Sequence, residues 1–540
     1  MSDFPREREP QVQGRVYFGG AWYEKDERLT SVNPATEAPI GSVPLCNRQD
    51  VAAAVQAARD AQPAWGDLSL HKRFAYLDVL RSLIIQEGDA LASLITQENG
   101  KPLVESHSLD VGGALDFLTG LLSGGRDYLK DRRVRATNPV LWRKRLMVRR
   151  VPLGVVGIIS PWNLPLAIPL GQVAAALAAG NTVVLKPSEL TPLMGAKIAT
   201  LFHKAGFPPG VFNLVTGDKD TGAFLVESPI DGLLFTGSTA VGQRIQAQLG
   251  PRLVATQMQL GGKDAFLVLP DADYERTVNG ALWCGLFGTG QACSSSERFF
   301  VPRSWMPRFA EAVAERARGL KVGDGMDETV QVGPLISEAQ RAKVEKQVSD
   351  AVERGAKLLC GGNRPDRKGF FYEPTVLMDV PRDCALMREE TFGPIIPIVA
   401  YDELDQAIAW CNDTPFGLSA TVWTSNPEKG EAVARKLQAG SVWVNDSSYT
   451  HSQAQCPWGG VKASGRGRTH WLGSLHELTV PQLIGVERGG ARGELWWYPY
   501  GGDSVELFAR FRRFSGEGLG GRFLHALPLL RAFLRVRGSR

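Results

Sequence analysis

Cys293 lies in the stretch GTGQACSSSER, just after Gly288, Gly290 and Gln291. Glycines let backbone approach a ligand closely, so a thiol set among them has the surroundings of a nucleophile. A single cysteine is otherwise a small buried apolar residue, the reading the other six cysteines take. Thirty-four residues earlier, MQLGGK (Met258 to Lys263) places Gln259 between two apolar side chains. A cysteine enzyme that releases an acid needs a base to activate water. A carboxamide has no useful basicity, so the amide at 259 raises a question of mechanism. In SPWNLPLAIP, Asn163 follows Trp162 in a turn stiffened by prolines. Its amide has two donors, which suits a developing oxyanion; asparagine beside proline is also an ordinary turn residue.

Three further stretches have ligand-binding potential. NTVVLKPSEL is an apolar strand ending in Lys186, Pro187, Ser188 and Glu189. Ligands of open α/β sheets bind beyond the carboxyl ends of strands, where a lysine and a carboxylate can grip ribose hydroxyls. A solvated ion pair is the plainer reading. LLFTGSTAVGQRI reads as strand, turn at Gly237 and Ser238, then helix, and a helix start favours a pyrophosphate. It is neither G-x-G-x-x-G nor a Walker loop. REETFGPIIPI sets Glu389, Glu390 and Phe392 before an apolar strand. Paired acids are commonly a solvated turn; a phenylalanine held before Gly-Pro is harder to explain that way.

These residues need a scaffold, and the pattern supplies one. From Asp50 to about Tyr128 apolar residues recur at three- and four-residue spacing, as in helices. From 154 to 270 apolar strands alternate with helices, and the alternation resumes after Cys293, which is the mark of parallel α/β sheets. Two such domains are expected to meet near residue 260. A chain of 540 residues is too long for one core. Hydrophobic content of 44% and charged content of 22% are those of a globular protein. A net charge of +4 is too small to imply nucleic acid, and no nucleic-acid-binding motif occurs. The seven cysteines are scattered, without a C-x-x-C pair, which fits a reducing compartment and neither a disulfide framework nor a metal site. No secretory h-region and no apolar run of membrane-spanning length is seen, so the cytoplasm is the expected location. The tail from Arg488 to Arg540 has ten arginines, no lysine and four acids. Phe523, Leu524, Leu527, Leu530 and Leu534 can share one helical face there, edged by Arg522, Arg531 and Arg535, with Pro528 as a kink point. Weak peripheral contact of residues 504–540 with an anionic membrane is one expectation; packing within an oligomer is the other.

Taken in order, PWNLP, KPSELTP, FTGSTAVG, LGGK, GQAC, EETFGP, NDTPFGLSATV and PWGGVKASGRGR resemble the aldehyde dehydrogenase superfamily over roughly residues 15 to 485. The resemblance implies an NAD-binding α/β domain (15–133 and 154–259) and a catalytic α/β domain (260–469). It also implies an oligomerisation element (134–153 and 470–487) that makes a homodimer or homotetramer, leaving 488–540 as a basic extension. By the same resemblance Cys293 is the nucleophile that adds to an aldehyde, and Asn163 with the Cys293 N–H holds the oxyanion. An acyl thioester on Cys293 follows. Trp162, Gly237 and Ser238 fall at the pyrophosphate, Lys186, Ser188 and Glu189 around the adenosine ribose, and Glu390 and Phe392 at the nicotinamide. Leu164, Ile168 and Trp458 fall along an aldehyde tunnel expected to be apolar. Glu189 favours NAD, because a carboxylate repels the 2′-phosphate of NADP. The departure is Gln259, where the family's usual text has the base glutamate. His470 and Glu477 are the substitute bases to consider. Superfamily members that pass the acyl group to coenzyme A also lack that glutamate, and a non-catalytic scaffold is the third reading. Retention of Cys293, Asn163 and Glu390 speaks against the scaffold.

Overall fold

A computed structural model describes residues 12–136, 141, 144–447, 453–487, 494, 496–498, 500–516 and 519–538. The chain divides into two units: residues 1–130 with 149–482, and residues 131–148 with 483–540. The first unit holds two large sheets. Five parallel strands form the centre of the first, in the order Ala255–Gln259, Gly232–Thr236, Val155–Ile159, Thr182–Lys186, Phe212–Leu214. Gly465–Arg466 adds to one edge and the hairpin Val16–Phe18/Ala21–Tyr23 to the other, all antiparallel. Gly465–Arg466, expected within the second domain, thus returns to the first sheet. The second sheet orders Lys357–Cys360, Thr375–Met378, Ile395–Tyr401, Ser296–Pro302, Asp264–Val268, Ser419–Trp423 and Ser441–Val444, parallel except at its first strand.

Two consequences of this order place the site. In the first sheet the chain starts at Val155–Ile159, builds outward through Thr182–Lys186 and Phe212–Leu214, then returns to the other side with Gly232–Thr236. Strand order reverses between Val155–Ile159 and Gly232–Thr236, and the crevice at their carboxyl ends is where such sheets take ligands. Second, only Leu260–Lys263 separate the end of Ala255–Gln259 from the start of Asp264–Val268. The carboxyl ends of the first sheet therefore face the amino ends of the second, and Cys293 immediately precedes the strand Ser296–Pro302.

Helices close both sheets. Arg48–Gly66 starts with a capping box in which Asn47 accepts from the Asp50 N–H and Asp50 accepts from the Asn47 N–H. Ala167–Ala179 is apolar nearly all round, as a helix buried on every side must be, and ends where Gly180 takes φ 97°. It packs with Gly113–Leu129, which continues from a π-helical turn at Ser106–Gly112.

In the second unit Arg132, Arg133 and Val134 pair antiparallel with Val148, Met147 and Leu146. Lys144 sits between Glu487, at 2.5 Å, and Glu494. Helices Gly502–Gly516 and Leu519–Gly538 follow, joined through Leu507, Leu529, Ala532 and Phe533. Leu527, Leu530 and Leu534 are exposed; the side chains of Phe523, Leu524 and Arg535 lie outside those described. Among the described residues no helix is long and apolar enough to cross a membrane.

Candidate active site

Three cavities adjoin one another at the seam of the two sheets. The widest, about 510 Å³, opens beyond the carboxyl ends of Val155–Ile159 and Thr182–Lys186 and includes Trp162, Lys186, Ser188, Glu189 and Gly237. A second, about 190 Å³, shares Pro161, Trp162, Thr236 and Gly237 with it and adds Asn163, Ser238, Gln259, Cys293, Glu390 and Phe392. The third is a narrow chamber of about 30 Å³ that includes Ile168, Trp458 and His470. Ile168, Thr236, Gln259 and Cys293 line both the second and the third. The thiol thus stands where the two meet. Leu164 is buried but lines neither, and Glu477 likewise lies outside both.

The loop carrying Cys293 is tightly specified. Gly288, Thr289 and Gly290 take φ of 60°, 60° and 68°. A Cβ at Gly290 would lie 2.1 Å from the Gly393 carbonyl oxygen, so only glycine lets this loop meet the one after Glu390. Buried Glu105 accepts the Gly288 N–H at 3.0 Å. The Asn163 amide donates to the Gln291 carbonyl at 3.1 Å, which uses one of its two donors and ties the Asn163 turn to the cysteine loop. Burial, then the charges of Asp264 and Glu390, push the Cys293 thiol up to about 12. This direction favours the protonated form of the Cys293 thiol.

Gln259 ends its strand, is 5% exposed, and its amide nitrogen has no hydrogen-bond partner among the described residues. Among residues lining the two cavities that share Cys293, the titratable groups are Cys293 itself, Lys343, Glu390 and His470. His470 takes φ 67°, meets Phe117 at a tilt with ring centres 5.4 Å apart, and directly precedes the helix Trp471–Glu477.

On the other side of the thiol, Glu390 accepts the Gly262 N–H at 3.0 Å, and a Cβ at Gly261 would lie 2.7 Å from its carboxylate. Burial and the nearby charge of Glu297 raise the Glu390 carboxyl above the usual range. Phe392 takes φ 58° and meets Trp162 edge-on at 5.4 Å. Glu297 accepts the N–H groups of Thr391 and Phe392, both at 2.8 Å, and pairs with buried Lys263 at 2.6 Å. The strained phenylalanine is therefore held by a buried carboxylate. Lys186 and Glu189 pair at 3.2 Å at the wide cavity, and Ser188 accepts the Leu190 N–H at 3.2 Å.

Sequence reasoning missed the supports behind these groups. Lys101 pairs with Asp110 at 2.6 Å, both fully buried, and also donates to the Asn163 carbonyl. Asp110 accepts the N–H groups of Leu166 and Ala167, each at 3.2 Å, and Asn99 donates to the Trp162 carbonyl at 3.0 Å. These residues sit in helical text with no local signature. The chamber wall also corrects an expectation. It is not uniformly apolar: Gln172, Gln257 and Gln259 line it beside Phe117, Ile168 and Trp458. Strand alternation was the available signal, since 257 shares a face with 259.

The aldehyde dehydrogenase family profile matches residues 22–484. The chain is 38% identical over 459 residues to the protein of Escherichia coli (strain K12) named succinate-semialdehyde dehydrogenase, NADP(+), covering 84% of this chain and 94% of that one. It is 37% identical over 470 residues to the mitochondrial succinate-semialdehyde dehydrogenase of Rattus norvegicus, covering 85% and 87%. Among solved structures, an NAD+ complex of aldehyde dehydrogenase from Bacillus cereus superposes with a TM-score of 0.83 at 34% identity, covering 88% of this chain and 97% of that one.

Proposed function

The chain belongs to the aldehyde dehydrogenase family and oxidises aldehydes, and from that premise we propose that Cys293 is its nucleophile, with NAD as the oxidant. The observation that carries this reading is the position of the thiol, which lines both the 190 Å³ cavity and the narrow chamber. The residues of the two larger cavities suit a dinucleotide: a Lys186–Glu189 pair beyond one strand end, a backbone turn at Gly237, and Glu390 beside Gly261 and Gly262. Glu390 and Phe392 would hold a nicotinamide, which would supply the hydride acceptor. Cys293 gives its proton to solvent water, since the Gln259 amide cannot take it, and the thiolate adds to the aldehyde carbonyl from its junction. The free Asn163 amide donor and the Cys293 N–H receive the oxyanion. Loss of hydride leaves an acyl thioester on Cys293.

Glu189 supports NAD over NADP. Its carboxylate is 43% exposed at the wide cavity, where a 2′-phosphate would meet it. Lys219 and Arg244 line the same cavity, so kinetics with both cofactors decide the point. Release of the acid is the weak step, because Gln259 offers an amide at the junction where water must attack. For the tail, exposed Leu527, Leu530 and Leu534 beside Arg522 and Arg531 support weak contact with anionic membranes.

The test follows NADH on mixing protein, NAD and a panel of aldehydes, with and without coenzyme A. Turnover without coenzyme A, abolished in Cys293→Ala, supports the hydrolytic reading. Turnover only with coenzyme A supports acyl transfer. An alanine variant as fast as the parent refutes the assignment of the thiol.

A further inference from the structure

The narrow chamber beyond Cys293 is lined by three glutamines and the His470 imidazole, and among the described residues by no lysine, arginine, aspartate or glutamate. Gln257 and Gln259 are two apart on the strand Ala255–Gln259, so their side chains leave the same face, while Met258 between them enters the core opposite. The neighbouring strand repeats the pattern: Leu234 pairs with Gln257 and Thr236 with Gln259, and both line the chamber. Gln172 reaches the same wall from the helix Ala167–Ala179 and donates to the Thr236 hydroxyl at 3.0 Å.

These amides are buried and underused. Gln257 is 4% exposed, and among the described residues neither its oxygen nor its nitrogen has a hydrogen-bond partner. The Gln172 oxygen and the Gln259 nitrogen are in the same state. Buried polar atoms are almost always paired, so a cluster of unpaired ones around a cavity calls for a partner that enters it. Gln257 matters most, because it offers one acceptor and two donors and neither heteroatom has another protein partner. No lysine, arginine, aspartate or glutamate is among the residues lining the chamber. A carboxylate brought there would be desolvated with no lysine or arginine to balance it, which is costly. A neutral polar group would be matched.

Resting on the reading that Cys293 attacks an aldehyde from this chamber, we propose that Gln257, with Gln172 behind it, selects a slender aldehyde carrying an uncharged hydrogen-bonding group, an amide or hydroxyl, over one carrying a carboxylate. Shape agrees: a chamber of about 30 Å³ admits an unbranched chain. The chain thereby parts from the substrate named for its E. coli and rat relatives, an aldehyde that bears a carboxylate.

Four chain-matched probes test this: butanal, 4-hydroxybutanal, 4-amino-4-oxobutanal and succinate semialdehyde. Single-turnover NADH formation at limiting aldehyde gives a kcat/KM-like constant for each, whatever the rate of acid release. The hydroxyl and amide probes should exceed butanal and succinate semialdehyde by about tenfold or more, the scale of a hydrogen bond made in a buried site. Gln257→Leu, or the more nearly isosteric Gln257→Met should the first fold poorly, should shrink the amide-to-butanal ratio by about the same factor. Equal rates for the amide probe and butanal overturn the inference, as does succinate semialdehyde as the best substrate or an unchanged ratio in a folded variant. If no probe yields NADH and Cys293 takes no acyl group by mass spectrometry, the reading of the site itself falls, and the inference with it.

Discussion

Gln259→Glu is the perturbation that reads the mechanism most directly. The side chain lines both cavities that share Cys293, so a carboxylate there reaches water at the thioester. The chamber side offers it neutral donors from Gln172 and Gln257 and, among the described residues, no lysine or arginine. Burial at 5% exposure then raises its pKa above that of a free glutamate, toward neutral pH, where a general base works best. A positioned base is worth roughly 10²- to 10⁴-fold, or about 3 to 5 kcal/mol in the barrier. In the parent, deacylation without such a base should limit turnover. Stopped flow should show a burst of about one NADH per site before a slow steady rate, and mass spectrometry should show acyl-enzyme. The variant should raise the steady rate within that range and lose the accumulated thioester. Its steady rate should also rise with pH through the new carboxylate's pKa, since only the ionised form takes a proton. The near-isosteric charge costs about 1 to 3 kcal/mol of stability, visible in the melting temperature. A parent with no burst, together with a variant no faster than it, would refute this account; Glu390, His470 and Lys343, the other titratable groups lining these cavities, would then be replaced in turn.

Three other outcomes follow from the geometry. Glu189→Ser removes the carboxylate at the wide cavity and should raise kcat/KM with NADP relative to NAD; an unchanged ratio takes Glu189 out of the cofactor site. With the Cys293 thiol pushed up to about 12, alkylation by iodoacetamide should climb about tenfold per pH unit from 7 and still be climbing at pH 10. A plateau near pH 8 would show an ordinary thiol. Truncation after residue 487 should abolish co-sedimentation with anionic vesicles, and a full-length protein that never sediments with them ends the membrane reading.

The parallel sheets were legible because both faces of each are covered, leaving uninterrupted apolar runs such as Thr182–Lys186 and Gly232–Thr236, fully buried in the structure. Residues at the ends of those runs were legible for the same reason: a lysine, a Gly-Ser turn or an asparagine stands out against apolar text. Gln259 was visible only as a departure from a family pattern, since nothing local marks a missing base. What stayed hidden depends on distant pairing. Lys101 and Asp110 are nine residues apart in helical text, yet they support a turn some sixty residues later. Glu297 begins a strand and serves a loop nearly a hundred residues on. The polar chamber wall was misjudged for a related reason: the tunnel residues taken from family resemblance, Leu164, Ile168 and Trp458, are all apolar, whereas the wall is completed by Gln257 and Gln172 from a neighbouring strand and helix.

Charge and neutrality are divided in this site in a way that bears on both halves of the reaction. The buried ion pairs Lys101–Asp110 and Lys263–Glu297 hold backbone: one fixes the turn from Asn163 to Ala167, the other the loop at Thr391 and Phe392. Removing one partner of either would strand a buried charge, at about 3 to 5 kcal/mol, and release a loop that faces Cys293. The chamber wall, by contrast, carries amides, hydroxyls, hydrocarbon and the His470 imidazole, with no lysine, arginine, aspartate or glutamate among its described residues. Adding a thiolate to a carbonyl needs fixed dipoles for the oxyanion, and those rest on the rigid turns the ion pairs maintain. Hydrolysing the product needs a group that changes protonation at the junction, and an amide at 259 cannot do so. Once the Cys293 thiol has lost its proton, acylation can therefore outpace deacylation, because the two steps draw on different parts of the same wall.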